Sequence, residues 1–217
     1  MEINMNFLSD QDKKNISRAI LQVEEKTLGE IVTVIAKASN RYIYIPTLYA
    51  ALVAFCVPIL LFLFPLNLSS YVIYGSQVGT FILTTLIFRY LPIKMLLVPK
   101  AVKDRRASRY AMENFFRHGL HLTQNRTGVL IFVSYAEHYV RIIVDQGIST
   151  VITQSQLDEI VENFISKIKS QNVAQGFLET VESCGKILQA NFPRLENKKN
   201  DEIKEHFIID ESEGEED

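Results

Sequence analysis

The sequence predicts an α/β domain interrupted by a two-helix transmembrane hairpin. Three observations carry this reading. Residues 42–88, 47 in a row, contain no Asp, Glu, Lys, Arg or His, although 22% of the chain is charged. On either side lie short apolar runs rich in Val and Ile, at 31–36, 129–134 and 139–145. Around these runs, apolar residues recur at the three- and four-residue spacing of amphipathic helices. A length of 217 residues suits one domain plus an insertion, at roughly 150 residues per domain. Mean hydropathy is +0.08 and 47% of residues are apolar, which excludes a disordered or fibrous chain.

The first helix is predicted over residues 10–27. Ser9 and Asp12 have capping-box spacing, and Ile16, Ala19, Ile20 and Val23 form one stripe. After Gly29, the nearly continuous β-branched run at 31–36 predicts a strand covered on both faces. The uncharged stretch follows. It is long enough for two spans of about 20 residues, and the breaker cluster from Pro65 to Ser70 divides it into spans at 44–64 and 71–91. Tyr42, Tyr44, Tyr49, Tyr71, Tyr74 and Tyr90 lie near the span ends, where tyrosine favours the headgroup layer. Small residues at four-residue spacing, Ala50 with Ala54 and Gly75 with Gly79, permit close helix packing. They serve either to pack the two spans on each other or to form a homodimer.

Lys37 and Arg41 precede the first span, whereas Arg89, Lys94, Lys100, Lys103, Arg105, Arg106 and Arg109 follow the second. The turn between the spans has no charge. The excess of positive charge on both flanks predicts that both termini are cytoplasmic. Residues 1–30 are polar and charged, unlike a secretory signal peptide. Cys56 falls within a span and Cys184 within a helical pattern, so no disulfide is expected.

Beyond the hairpin, residues 101–121 predict a helix with Ala107, Tyr110, Ala111, Asn114 and Phe115 on one face and bases opposite. The apolar run at 129–134 predicts a second covered strand. The alternating run at 139–145 predicts a third, paired antiparallel through the turn at 135–138. Thr153 and Gln156 cap a helix carrying Leu157, Ile160, Val161, Phe164, Ile165 and Ile168. A last helix with Phe177, Val181, Cys184 and Leu188 stops before Pro193. A strand, crossover and strand normally run parallel. Residues 1–41 and 89–195 are therefore expected to fold together as one discontinuous domain, with the hairpin at 42–88 inside the crossover. Residues 196–217 hold ten acids and three bases and are expected to be a solvated, disordered acidic tail.

Three segments together resemble a known family: Thr27-Leu28-Gly29-Glu30-Ile31-Val32, then the run from Arg126 to Ser134, then the run from Glu137 to Ile148. They are similar to the TPM-domain family, in its bacterial branch of membrane proteins with a hairpin inserted in the domain. The resemblance spans about residues 7–195. It implies a small mixed sheet of about three to four strands between helices, and a place in the bacterial inner membrane. Family members include an acid phosphatase of thylakoids, photosystem repair factors and a receptor accessory protein, so function does not follow from the fold. The family's Gly-x-Gly after the third strand is altered here, where Asp145 stands in place of the first glycine.

Familiar catalytic patterns are missing. The residue six after Cys184 is Ala190, which excludes a Cys-x5-Arg phosphatase loop, and no P-loop, H-E-x-x-H or G-x-S-x-G is present. The basic set Lys100, Lys103, Arg105, Arg106 and Arg109 is expected to bind anionic lipid at the membrane surface, not nucleic acid. The leading expectation is a non-catalytic accessory or interaction module, without a cofactor. Its partners are the bilayer and other membrane proteins. The alternative is a membrane-proximal phosphatase using Ca or Mg, with Glu30, Glu137 and Asp145 as ligands.

Overall fold

The structure, a computed structural model, describes residues 8–63, 68–194 and 206–213. Helix α1 (Asp10–Glu24) leads into strand β1 (Glu30–Ala38). Two long helices follow, α2 (Tyr44–Leu63) and α3 (Ser70–Phe88), then the short α4 (Leu91–Leu97) and α5 (Lys100–Arg117). A single 3-10 turn at Leu120–Leu122 precedes β2 (Gly128–Ser134) and β3 (Tyr139–Val144). The chain continues through α6 (Gln146–Ser149), α7 (Gln154–Lys169), α8 (Val173–Asn191) and β4 (Phe207–Glu213).

The four strands form one mixed sheet in the order β3-β2-β1-β4. β1 and β2 are parallel, with Glu30 opposite Gly128 and Ala36 opposite Ser134. β2 and β3 are antiparallel through the expected turn, in which His138 takes a left-handed φ of 51°. Alternate residues divide between two buried layers. Ile31, Ile35, Val129, Ile131 and Ile142 join the stripes of α1, α7 and α8. On the other face Val32, Val34, Leu130, Phe132 and Ile143 meet Tyr110, Ala111 and Phe115 of α5. Both capping boxes form, Ser9 with Asp12 and Thr153 with Gln156.

The expected disordered tail is corrected in part. Within 196–217 the residues Phe207–Glu213 are β4, parallel to β1. The physical reason is the apolar trio Phe207-Ile208-Ile209 inside an acidic segment. Phe207 packs into one layer and Ile208 into the other, while β1 supplies the partner for the strand's backbone groups. Residues 196–205 and 214–217 of that tail lie outside the described residues. So do Pro65, Leu66 and Asn67 of the expected turn and Phe64 at the end of the expected first span.

The chain forms two compact units, one of Met1–Ser39 with Ala107–Glu213, the other containing Asn40–Arg106. The second is larger than the expected 42–88, because local contacts tie the flanks of the hairpin together. Lys94 is buried and its Nζ donates to the Arg41 carbonyl at 2.8 Å. Lys103 donates to the Met95 carbonyl at 3.2 Å, and the Arg106 guanidinium lies 5.7 Å from the centre of the Tyr42 ring. Within this unit α2 packs along α3. Both helices are long and apolar enough to cross a membrane by length and composition.

Candidate functional site

The two parallel strands β1 and β2 give the sheet two ends, and the candidate carboxylates are divided between them. Glu30 opens β1 opposite Gly128. Asp145 follows β3 at the same end, its backbone N–H donating to the Gly128 carbonyl at 2.9 Å. Glu137 lies in the turn between β2 and β3, at the other end. Six residue steps from Gly128 to Ser134, at about 3.3 Å each, separate the ends by roughly 20 Å. The expected ligand set of Glu30, Glu137 and Asp145 therefore does not meet at one ion. The spacing along the chain hid this, because β3 carries the chain back past β2 between Glu137 and Asp145.

Local contacts occupy the two loop carboxylates. Asp145 is buried and caps α6, accepting from the Gln146 N–H at 2.7 Å. Its Oδ2 lies 3.1 Å from Nε of Arg126, a residue held at a left-handed φ of 55°. Gly147 permits this turn, since a Cβ there would lie 2.5 Å from the Asn125 carbonyl oxygen. Glu137 is buried at the other end, accepting from the Ser39 N–H at 2.9 Å and from the Ser134 hydroxyl. It thus links Ser39, just after β1, to Ser134, the last residue of β2. Arg141 of β3 donates to the Ser108 hydroxyl of α5.

A different cluster assembles at the Glu30 end. Glu24, the last residue of α1, is 2% exposed, Glu30 is 4% exposed, and His206 stands immediately before β4. One ligand atom from each lies within 4.8 Å of the others. Glu24 Oε1 accepts from the Ile31 N–H at 2.8 Å, and Oε2 lies 3.1 Å from Nδ1 of His206. The His206 carbonyl in turn accepts from Thr33 N–H of β1 at 2.8 Å. Neither Glu24 nor His206 stood out in the sequence. The signal for Glu24 was present, because it continues the buried face of Ile16 and Ile20 at four-residue spacing. His206 carried no such signal, since its place follows from the pairing of β4.

Among the small residues, Ala50 and Ala54 are buried on α2. A Cβ added at Gly75 or Gly79 would meet nothing within 4 Å. The two pairs thus divide, one packed within the chain and one on an open face. Of the basic set, Lys100, Arg105 and Arg109 are exposed on α5, whereas Lys103 and Arg106 make the contacts described above. Cys184 is buried and its thiol is pushed up to about 12 by desolvation, which makes it inert at neutral pH.

Comparison with known proteins agrees with this fold. Residues 91–187 match the family model of the TPM domain, a stretch that begins at α4 and ends within α8; α1 and β1 lie on the other side of the hairpin. The chain is similar in fold to the NMR structure of the BA42 protein from the psychrophilic bacterium Bizionia argentinensis, with a TM-score of 0.59 and 19% identity. That likeness covers 96% of this chain and 99% of the other. A search of curated protein sequences finds no match.

Proposed function

We propose, from the premise that this chain carries a TPM domain, that it is a membrane-anchored accessory protein whose domain engages other membrane proteins without catalysis. The hairpin carries the reading. Its helices have mean hydropathies of 2.3 and 1.4, with 17% and 0% of the apolar windows buried. Apolar surface turned outward costs about 25 cal/mol per Å² in water. At 1.5 Å per residue, helices of 20 and 19 residues extend about 30 Å, the thickness of a hydrocarbon core. Basic residues on both flanks favour a cytoplasmic location for both termini, in the bacterial inner membrane. The exposed Lys100, Arg105 and Arg109 each add about 1 kcal/mol of attraction to anionic headgroups.

Fractionation tests the anchor. The chain should remain in carbonate-washed membranes and leave them only in detergent; recovery in the soluble fraction would remove the proposal. Orientation is read with Leu68→Cys, which should react with an impermeant maleimide on intact cells, while Gln171→Cys should react only after permeabilisation. Photo-crosslinking from the α5 surface should then yield discrete adducts with membrane proteins. The phosphatase alternative needs Glu30, Glu137 and Asp145 at one Ca or Mg ion, and two of these carboxylates instead support turns at opposite ends of the sheet. No hydrolysis of p-nitrophenyl phosphate is expected with Ca, Mg or Mn. Metal-dependent turnover lost in Asp145→Asn would reverse that choice.

A further inference from the structure

We propose that Glu24, Glu30 and His206 form a binding site for one divalent transition-metal ion of the zinc class, which fastens the C-terminal strand to the domain. The donor set decides the metal. An imidazole nitrogen with two carboxylates suits zinc and its neighbours, whereas Ca and Mg prefer oxygen ligands throughout. Two carboxylates balance the charge of a divalent ion, and three protein ligands leave a fourth position for water. Ligand atoms of a tetrahedral site with bonds of about 2.1 Å lie roughly 3.4 Å apart. The 3.1 Å between Glu24 Oε2 and His206 Nδ1 is close to this spacing, and the full set lies within 4.8 Å.

Burial supplies an independent observation. Glu24 is 2% exposed, and its Oε2, in no hydrogen-bond geometry, faces His206 Nδ1 at 3.1 Å. A buried carboxylate oxygen so placed is costly without a cation, a part filled by the His206 imidazole when protonated and by a metal ion when the imidazole is a neutral ligand. The ligands are also held in advance. The Ile31 N–H orients Glu24 through Oε1, as outer-shell hydrogen bonds orient metal ligands. Backbone pairing with Thr33 positions His206. The ion would join the neighbouring end of α1 and start of β1 to the start of β4, far along the chain.

The test uses the full chain in detergent, stripped of metal with a chelator and titrated with zinc chloride by calorimetry. Binding of one zinc per chain is expected, with affinity at least tenfold weaker in His206→Gln and Glu30→Gln and unchanged in Glu137→Gln. Cobalt titration supplies a readout on the unaltered chain: visible d–d bands of a tetrahedral or five-coordinate site should appear at one equivalent and disappear on adding zinc. Bound zinc should also protect β4 from limited proteolysis. Absence of saturable zinc binding to the unaltered chain overturns the proposal, as does equal affinity in folded His206→Gln and Glu30→Gln.

Discussion

Asp145 acts through two contacts, the cap on α6 at the Gln146 N–H and the ion pair with Arg126. The Arg126 side chain is half exposed, so the pair itself contributes under about 1 kcal/mol. Asparagine keeps a cap acceptor and alanine removes it. Asp145→Ala should therefore cost about 1 kcal/mol more than Asp145→Asn in thermal or urea unfolding. Gly128 is under tighter restraint, because a Cβ there would lie 2.2 Å from the Leu120 carbonyl oxygen. A backbone atom cannot move aside as a side-chain tip does. Gly128→Ala should destabilise by about 1–3 kcal/mol, seen as a lower Tm with unchanged far-ultraviolet dichroism at low temperature. Cys184, buried with its thiol pushed up to about 12, should resist maleimide in the native chain and react once it is denatured.

At the scale of the element, the start of α1 has a pH dependence that can be signed. Hydrogen bonds from the Ser9 hydroxyl and backbone N–H hold the Asp12 carboxyl below its ordinary value. A carboxyl lowered in the folded state contributes stability that is present above its unfolded value and is lost as pH falls through the folded one. The start of α1 should accordingly fray below about pH 4, and hydrogen exchange at residues 10–13 should rise there in the unaltered chain but change less in Ser9→Ala. β4 has a larger role, covering the edge of β1 and receiving a hydrogen bond at Asp210 from the Tyr110 hydroxyl. An uncovered apolar edge pairs with other chains. Truncation after residue 205 should shift the detergent-solubilised chain toward higher oligomers in light scattering. On α3, Gly75→Ile with Gly79→Ile adds side chains into open space. The double variant should keep its Tm while a dimer built on that face dissociates.

For the whole molecule, legibility in the sequence followed locality. The uncharged stretch, the capping boxes at Ser9 and Thr153, the buried runs of β1 and β2 and the hairpin into β3 were readable, because each expresses a period or a spacing of a few residues. The pairing of β1 with β2 across the hairpin was readable too, since one strand before the hairpin needs a partner after it. Three features came only from tertiary structure: β4 beside β1, the meeting of Glu24, Glu30 and His206, and the placement of Glu137 and Asp145 at opposite ends of the sheet. The first two depend on pairing between segments distant in the chain, and the third on the length of β3. A short strand such as Phe207–Glu213 has too little periodicity to reveal such pairing, and a strand's return path places residues that are near in sequence far apart in space. Composition and periodicity by themselves determined the class of fold and the apolar hairpin, because burial patterns are local. Which polar groups share a site was decided by register and topology, because those govern where side chains from separate elements converge.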